Sequence, residues 1–593
     1  MRKNLLVLLF WVIASGAFAQ NTKATSNIVC ESSLGAARNQ HTSAMGQKTN
    51  LWYDKDIDVL SFVYAIYDLF DTLSIGYSYS LDHGATWTLD TLYHAPSAIY
   101  YGRFPQGAIY NPPGNTNPSN AYETCFGSTS DAGLWNAHYE GTSALGSGSW
   151  QQTLYPFTTY PHTFVPQGGT IVKNTGTTWW CAAGNSLIDT VYNDTIVLAK
   201  GTFGGGNFNY AYTLLPVPVC TDNNGRKMFR NQAIIFDDSG QNGYLVLIAN
   251  DWACVNQDSA MGLIVFNTSD GGITWMRMMD PPLLIAGSLL PNNTGYYAAA
   301  TQLDLAMDMS GKLHIGLPIV PFTPGNEIQQ IYPWGSWGLF DISPSGLSYD
   351  FCLISLPQRF YGDFGIQGLG SVLHEENRLQ LSRNWDGSKL FYTWFDTDTA
   401  IFGSIDNVFP DMHSVGYDLQ TNLYSDEINF TEFTGIASDG FCLFGNVSYY
   451  TINDGVNENI PVVTDLMNVI PDEPINFYYI GCAAVDNYNN TGNCVYYNGI
   501  DSPGGNHPLL SDCTIYPNPF SGKTKIDVAV AKNVSVTIKI SNAIGQQFAS
   551  FNFENLNPGK NTLTLDGSML SKGLYYCTVK AGIESITRIM SVE

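Results

Sequence analysis

The chain has 593 residues, 44% of them hydrophobic and only 13% charged, with 26 Lys+Arg against 51 Asp+Glu and a net charge of −25. That length exceeds one ordinary core, so two or more folding units are expected, and the apolar content excludes a disordered chain. A nucleic-acid partner is disfavoured, because binding a polyanion relies on lysine and arginine replacing condensed counterions.

At the N-terminus Arg2 and Lys3 precede an apolar run from Leu5 to Ile13, followed by Ala17-Phe18-Ala19. This pattern predicts a signal peptide over residues 1–19, cut between Ala19 and Gln20. The run is too short to span a bilayer and no later run reaches the needed length, so no transmembrane segment is expected. Gln20 in place of a first mature cysteine argues against a lipid anchor.

Residues 20–505 carry recurrent apolar runs of five to eight residues, separated by Gly, Asn, Asp and Pro. With many aromatics and few regularly spaced charges, these predict strands rather than helices. Two turns share one eight-residue pattern, Ser80-Leu81-Asp82-His83-Gly84-Ala85-Thr86-Trp87 and Thr268-Ser269-Asp270-Gly271-Gly272-Ile273-Thr274-Trp275. An Asp there can accept from turn amides, Gly takes a backbone a β-carbon would hinder, and Trp packs back on the sheet. The pattern resembles the Asp-box of sialidase-like propellers, which implies a structural role for Ser80, Asp82, Gly84, Trp87, Thr268, Asp270, Gly272 and Trp275.

Weaker turns continue the rhythm at Asp237-Asp238-Ser239-Gly240, Asp308-Met309-Ser310-Gly311 and Asn384-Trp385-Asp386-Gly387. Strand clusters start near residues 55, 108, 168, 233, 303, 380 and 440. This spacing fits an all-β chain with a large propeller of seven blades, six or eight being alternatives and a pair of packed sandwiches the rival.

Catalytic groups are sparse. Sialidases grip a carboxylate with three arginines, a use suited to the planar guanidinium fork. Arg103-Phe104-Pro105 is similar to the Arg-Ile-Pro motif of that family, but it follows the first Asp-box and Phe104 replaces the aliphatic residue. A carboxylate-pair glycosidase needs only two acids across a cleft. Asp304, alternating with Leu303 and Leu305, and Glu375-Glu376 before a strand are the weak candidates, with a solvated edge or turn favoured for both. Trp179-Trp180, Trp334 to Trp337 and Ile99-Tyr100-Tyr101 could stack on sugars, yet filling between blades is the favoured role.

No metal or cofactor site is expected. HExxH, CxxC, GxSxG, P-loop and GxGxxG patterns do not occur, and Asp222 to Gly225 and Asp237 to Gly240 fit ordinary turns. The 11 cysteines are scattered, and Cys482 with Cys494 is the pair expected first as a bridge.

Residues 506–511 form a linker after the Pro/Gly-rich Ser502 to Pro508, and residues 512–593 form a small module. Tyr516-Pro517-Asn518-Pro519-Phe520 opens it, and Asn542 to Gly545 and Pro558-Gly559 punctuate its strands. Gly573-Leu574-Tyr575-Tyr576 and the basic Arg588 close it. The module's short strands fit an immunoglobulin-like sandwich. The module resembles the C-terminal sorting domain of type IX secretion cargo from Bacteroidetes-type bacteria. The resemblance implies recognition by the outer-membrane translocon and its sorting machinery through Tyr516, Pro517, Asn518, Pro519, Phe520, Gly545, Gly573, Tyr575 and Arg588. It implies a destination outside a Gram-negative cell, secreted or at the surface, after passage through the periplasm. The propeller is then expected to be a binding or adhesion platform, for glycans or a surface protein, the alternative being a sialidase-like or other glycoside hydrolase.

Overall fold

The structure is a computed structural model. It describes residues 30–39, 42–43, 49–66, 74–131, 134–156, 167–172, 175–183, 195–217, 229–249, 261–291, 297–321, 336–346, 348–360, 362–364, 373–375, 377–398, 406–431, 442–465, 473–497, 510–530, 533–542, 547–557, 559–568, 570–581 and 584–593. The expected signal peptide with Ala19 and Gln20, together with Glu376, Trp334, Gly545 and most of the linker, lies outside these residues.

The chain divides into two compact units, one of Met1–Pro344 with Asp350–Val495, the other of Tyr496–Glu593 with Ser345–Tyr349. Among the described residues of the first unit, seven antiparallel sheets of four to six strands follow one another along the chain, with a two-stranded sheet, Gly362–Phe364 with Leu373–Glu375, between the fifth and sixth. Their innermost strands are Leu51–Asp54, Tyr101–Tyr110, Gln167–Val172, Phe229–Phe236, Asp304–Met307, Gln380–Arg383 and Leu443–Val447. Each opens a meander, in the fifth sheet together with Tyr297–Ala299, which pairs with the same neighbour, and each packs beside the next around a common axis; Glu458–Asp465 of the seventh sheet returns to Leu51–Asp54 of the first. This is a seven-bladed β-propeller, and the packed sandwich pair is ruled out by the single meander per sheet.

Burial explains the apolar runs. The second strands are flanked by blades on both faces, so Val59–Ala65 and Leu313–Pro321 are buried at every position. On the rim only one face is covered, and Asn207–Pro216 is largely exposed. The ring closes through the N-terminus: Glu31–Ala37 is the outermost strand of the seventh blade, paired antiparallel with Ile475–Val485.

The cysteines correct one expectation. Cys482 bonds Cys30 and Cys494 bonds Cys352, rather than each other. Cys482 lies on the strand that pairs with Glu31–Ala37, whereas Cys494 lies on Asn493–Tyr497, which adds to the fifth blade beside Ser348–Ser355. Sheet pairing, not nearness in sequence, sets the partners.

The second unit is a sandwich of a three-stranded sheet, in the order Leu510–Tyr516, Lys523–Val530, Gly559–Asp566, and a four-stranded sheet. The latter runs Gln547–Leu556, Val534–Ser541, Gly573–Ala581, Glu584–Val592. Period-two burial along Val534–Ser541 and Gly573–Ala581 turns Val536, Ile538, Ile540, Tyr575, Cys577 and Val579 into one core.

Candidate functional site

The two Asp-boxes occupy equivalent turns, between the third and fourth strands of blades one and four. In the first, Asp82 accepts from Thr86 N at 2.8 Å and Thr86 Oγ1 at 2.7 Å, and Ser80 Oγ accepts from Gly84 N at 2.8 Å. In the second, Asp270 accepts from Thr274 N at 2.9 Å and Thr274 Oγ1 at 2.6 Å, and Thr268 Oγ1 accepts from Gly272 N at 3.0 Å. The Thr274 bonds draw the Asp270 carboxyl down to about 2.

Each box also seals against the preceding blade. A β-carbon on Gly84 would stand 2.2 Å from Tyr479, and one on Gly272 2.3 Å from Trp179. Trp87 packs edge-on to Tyr479 and donates to Ser32 Oγ at 3.0 Å, while Trp275 packs edge-on to Trp179.

First and third strands of a meander run parallel, so the turns after the innermost strands share the Asp-box end. There Asp54, Asp237, Asp308 and Asn384 each accept from amides of their own turn. At this end side chains of blades four to seven meet. Arg383, 2% exposed, donates to Met307 O at 2.9 Å and Asp238 Oδ2 at 2.8 Å, and lies 5.5 Å from the Tyr450 ring centroid. Trp52 of the first blade stacks on Tyr449 at 5.9 Å. Nearby, His314 bonds Asp341 at 2.7 Å, and Tyr392 donates to the same carboxylate at 2.8 Å. Burial opposes the His314 charge, but Asp341 and Asp308 outweigh it and hold the imidazole up to about 9.

The opposite end, where the innermost strands begin, is irregular. Pairing is interrupted between Arg103 and Gln106, Gln167 and Gly169, Phe229 and Asn231, and Leu443 and Asn446. Phe104, Arg378 and Phe444 take φ values of 47°, 50° and 44°. Bulges and left-handed non-glycine residues cost free energy and collect where side chains are re-aimed for binding. Arg103, half-buried, lies at this end two residues beyond Tyr101, and the Arg38 guanidinium lies 4.0 Å from the Tyr101 ring centroid. Arg230 sits at the fourth blade's bulge. Arg378 is spent internally: it is buried, donating to the carbonyls of Gly445 at 2.6 Å and of Ser43.

Asp304 begins the fifth innermost strand, but its carboxylate clasps two blades, accepting from Leu381 N at 2.9 Å and from Leu305 N at 2.9 Å. Burial outweighs these bonds and pushes the carboxyl up to about 7. Glu375 lies on the short strand Leu373–Glu375, paired with Gly362–Phe364, and its side chain falls outside the described residues. Trp179 and Trp180 fill gaps between blades, stacked on Phe236 at 4.6 Å and Phe126 at 6.0 Å.

Two buried carboxyls carried no sequence signal. Glu140 of the second blade accepts from Tyr212 Oη at 3.0 Å, Tyr155 Oη at 3.2 Å and Trp180 Nε1 at 3.3 Å. Glu123 is fully buried, with the Ser61 side chain beside its carboxyl. Burial pushes each up to about 8. Alternation within buried strands of a turn-rich chain gives no sign of which acids point inward. Among the described residues no cluster of three or more His, Cys, Asp or Glu could hold a metal ion.

In the second unit the residues predicted for sorting converge from both ends of the module. Asn518 donates to Ile589 O at 2.9 Å and accepts from Ser591 N at 2.8 Å; Phe520 N donates to Ser591 O at 3.0 Å, and Glu593 N to Phe520 O at 2.9 Å. The last strand also pairs Gly573 with Val592, Tyr575 with Met590 and Tyr576 with Ile589. Phe520 and Tyr575 point inward, and Arg588 Nε donates to Cys513 O at 2.9 Å. Tyr516, Leu574 and Ile589 remain 61%, 65% and 57% exposed, an apolar group at odds with a surface left to water.

Residues 514–593 match the family described as secretion system C-terminal sorting domain. The chain is therefore a type IX secretion cargo, directed to the cell surface or the extracellular space, and its sorting domain engages the type IX machinery. Among the described residues no helix is long and apolar enough to cross a membrane. No curated protein matches the chain. Among solved structures it is similar to the polysaccharide lyase Uly1, at 10% identity over 79% of this chain and 94% of that one, with a TM-score of 0.40. The phage phi92 endosialidase shows 9% identity over 95% and 87%, TM-score 0.37. Trypanosoma rangeli sialidase shows 10% identity over 94% and 89%, TM-score 0.32.

Proposed function

We propose that the propeller is a binding platform displayed outside the cell, and that it takes its ligand at the end of the axis opposite the Asp-boxes. The observation that carries this is the set of four register breaks at that end, in blades two, three, four and seven, the first of them between Arg103 and Gln106. The opposite end supports the choice, because Arg383 is buried there among its partners from blades four, five and seven. An aromatic plane beside guanidinium groups suits a sugar carrying a carboxylate. Binding of the purified propeller to arrayed neutral and acidic glycans tests this, and Arg103→Ala should weaken acidic binding at least tenfold. Equal binding by the variant removes this site.

Glycoside hydrolysis is the second reading, favoured by one group. Asp304 lies on an innermost strand with its carboxyl pushed up to about 7, the range in which a general acid works near neutral pH. Hydrolysis of an arrayed glycan, lost in Asp304→Asn without loss of folding, would support it. Delivery is assigned to the sorting domain, with Tyr516, Leu574, Tyr576 and Ile589 as the face met by the translocon.

A further inference from the structure

We propose that Cys513 and Cys577 are joined by a disulfide that staples the two sheets of the sorting domain in the exported protein. Both are present as buried thiols in the structure. The other buried thiols among the described residues, Cys125, Cys181 and Cys442, belong to three separate apolar clusters in different blades, whereas Cys513 and Cys577 share one.

Their placement favours a bridge. Cys513 is on Leu510–Tyr516 of the three-stranded sheet and Cys577 on Gly573–Ala581 of the four-stranded sheet, and both point into the core between them. Strand Leu510–Tyr516 touches both Gly573–Ala581 and Glu584–Val592. Arg588 stands directly across from Cys577 in the strand pairing, and its Nε bonds the carbonyl of Cys513 at 2.9 Å. One side chain thus ties the two cysteine positions together. Burial, and then the nearby Cys513 thiol, push the Cys577 thiol up to about 12.

The surroundings of Cys577 have a counterpart in immunoglobulin-like sandwiches, where a tyrosine two residues before an inter-sheet cysteine bonds back to the preceding corner. Tyr575 Oη donates to Ser571 O at 2.9 Å. The difference lies in the partner, here on the first strand of the module.

The chemistry requires a protein disulfide as oxidant, as an oxidising compartment outside the cytoplasm supplies. The thiolate of one cysteine attacks a sulfur of that disulfide, forming a mixed disulfide and releasing one oxidant thiolate. The second cysteine, as thiolate, attacks the bound sulfur of its neighbour and expels the other oxidant thiolate. Two cysteine thiols become one disulfide, two protons pass to the expelled thiolates, and the oxidant ends as a dithiol. Because both sulfurs are enclosed once the sandwich closes, exchange precedes final packing.

The test uses full-length protein with the sorting domain present, denatured in iodoacetamide without reductant, digested and analysed by mass spectrometry. The expected result is a linked pair of peptides carrying Cys513 and Cys577, with Cys125, Cys181 and Cys442 alkylated. Full alkylation of both Cys513 and Cys577 overturns the proposal, as does either one linked to another cysteine. In hydrogen exchange, reductant should speed peptides of residues 510–593 in the wild type and change nothing in a Cys513→Ala/Cys577→Ala variant. An equal effect of reductant on both proteins also overturns it.

Discussion

At the residue scale, single groups carry constraints that their neighbours in sequence do not reveal. Gly272 has φ 82° and faces Trp179 across the boundary between blades. A β-carbon there meets both an unfavourable backbone and a rigid ring, so Gly272→Ala should cost about 1–3 kcal/mol, read as a lowered urea midpoint. The exposed Ile273 beside it tolerates alanine and serves as the control.

Glu140 sets a pH dependence. Its folded carboxyl titrates near 8 against 4.5 for an ordinary glutamate, because burial favours the neutral form. Its stabilising contribution is whole below about pH 4.5 and is lost as pH rises through 8. Glu140→Gln keeps an acceptor for Trp180 and Tyr212 without the charge. The variant should match wild type near pH 4.5 and be the more stable near pH 8.5, as measured by urea midpoints at the two pH values. Glu123 shifts the same way and remains in the variant, so a part of the alkaline loss persists.

At the element scale, the meander was legible because its strands are apolar runs cut by Gly and Asx turns. The turns at Asp237, Asp308 and Asn384, weak in isolation, prove to be the same turn in blades four, five and six. What the runs could not show was pairing across the ring. Strand Glu31–Ala37 has partners more than 400 residues away, and only the closed ring brings Cys30 to Cys482, 452 residues on. Removing that bond with Cys30→Ser frees the edge of the seventh blade. A loss of about 2–4 kcal/mol is expected, seen as a lower unfolding midpoint in the absence of reductant. Adding reductant should narrow the gap between wild type and variant.

The same limit applies to the candidate sites. Tyr516 to Phe520 and Gly573 to Tyr576 were recognisable as motifs, but their convergence on the final strand comes from the order of strands in the sandwich. Arg103 was visible as a motif fragment, whereas its neighbour Arg38 was only one arginine among several. The Arg38 guanidinium lies over the Tyr101 ring, a contact between blades that no local pattern encodes. Asp304 was correctly placed on a strand, yet its bond to Leu381 depends on the register of two adjacent blades.

At the scale of the whole molecule, the proposed ligand recognition and the delivery belong to different units. Deleting residues 514–593 should leave the propeller inside the cell envelope and leave the proposed glycan binding unchanged from the full chain, checked by fractionation of the host and by array binding of the recovered protein. Surface delivery undiminished by the deletion would remove the sorting role.

The amino-acid sequence by itself determined the class of both units, the blade rhythm and the sorting motifs, since these rest on short-range alternation and on turn residues whose backbone needs are local. The tertiary structure decided which cysteines meet, which carboxyls are enclosed, and which side chains join one blade to another at each end of the axis. Those outcomes depend on contacts between blades and between sheets, where residues far apart in the chain share one desolvated space.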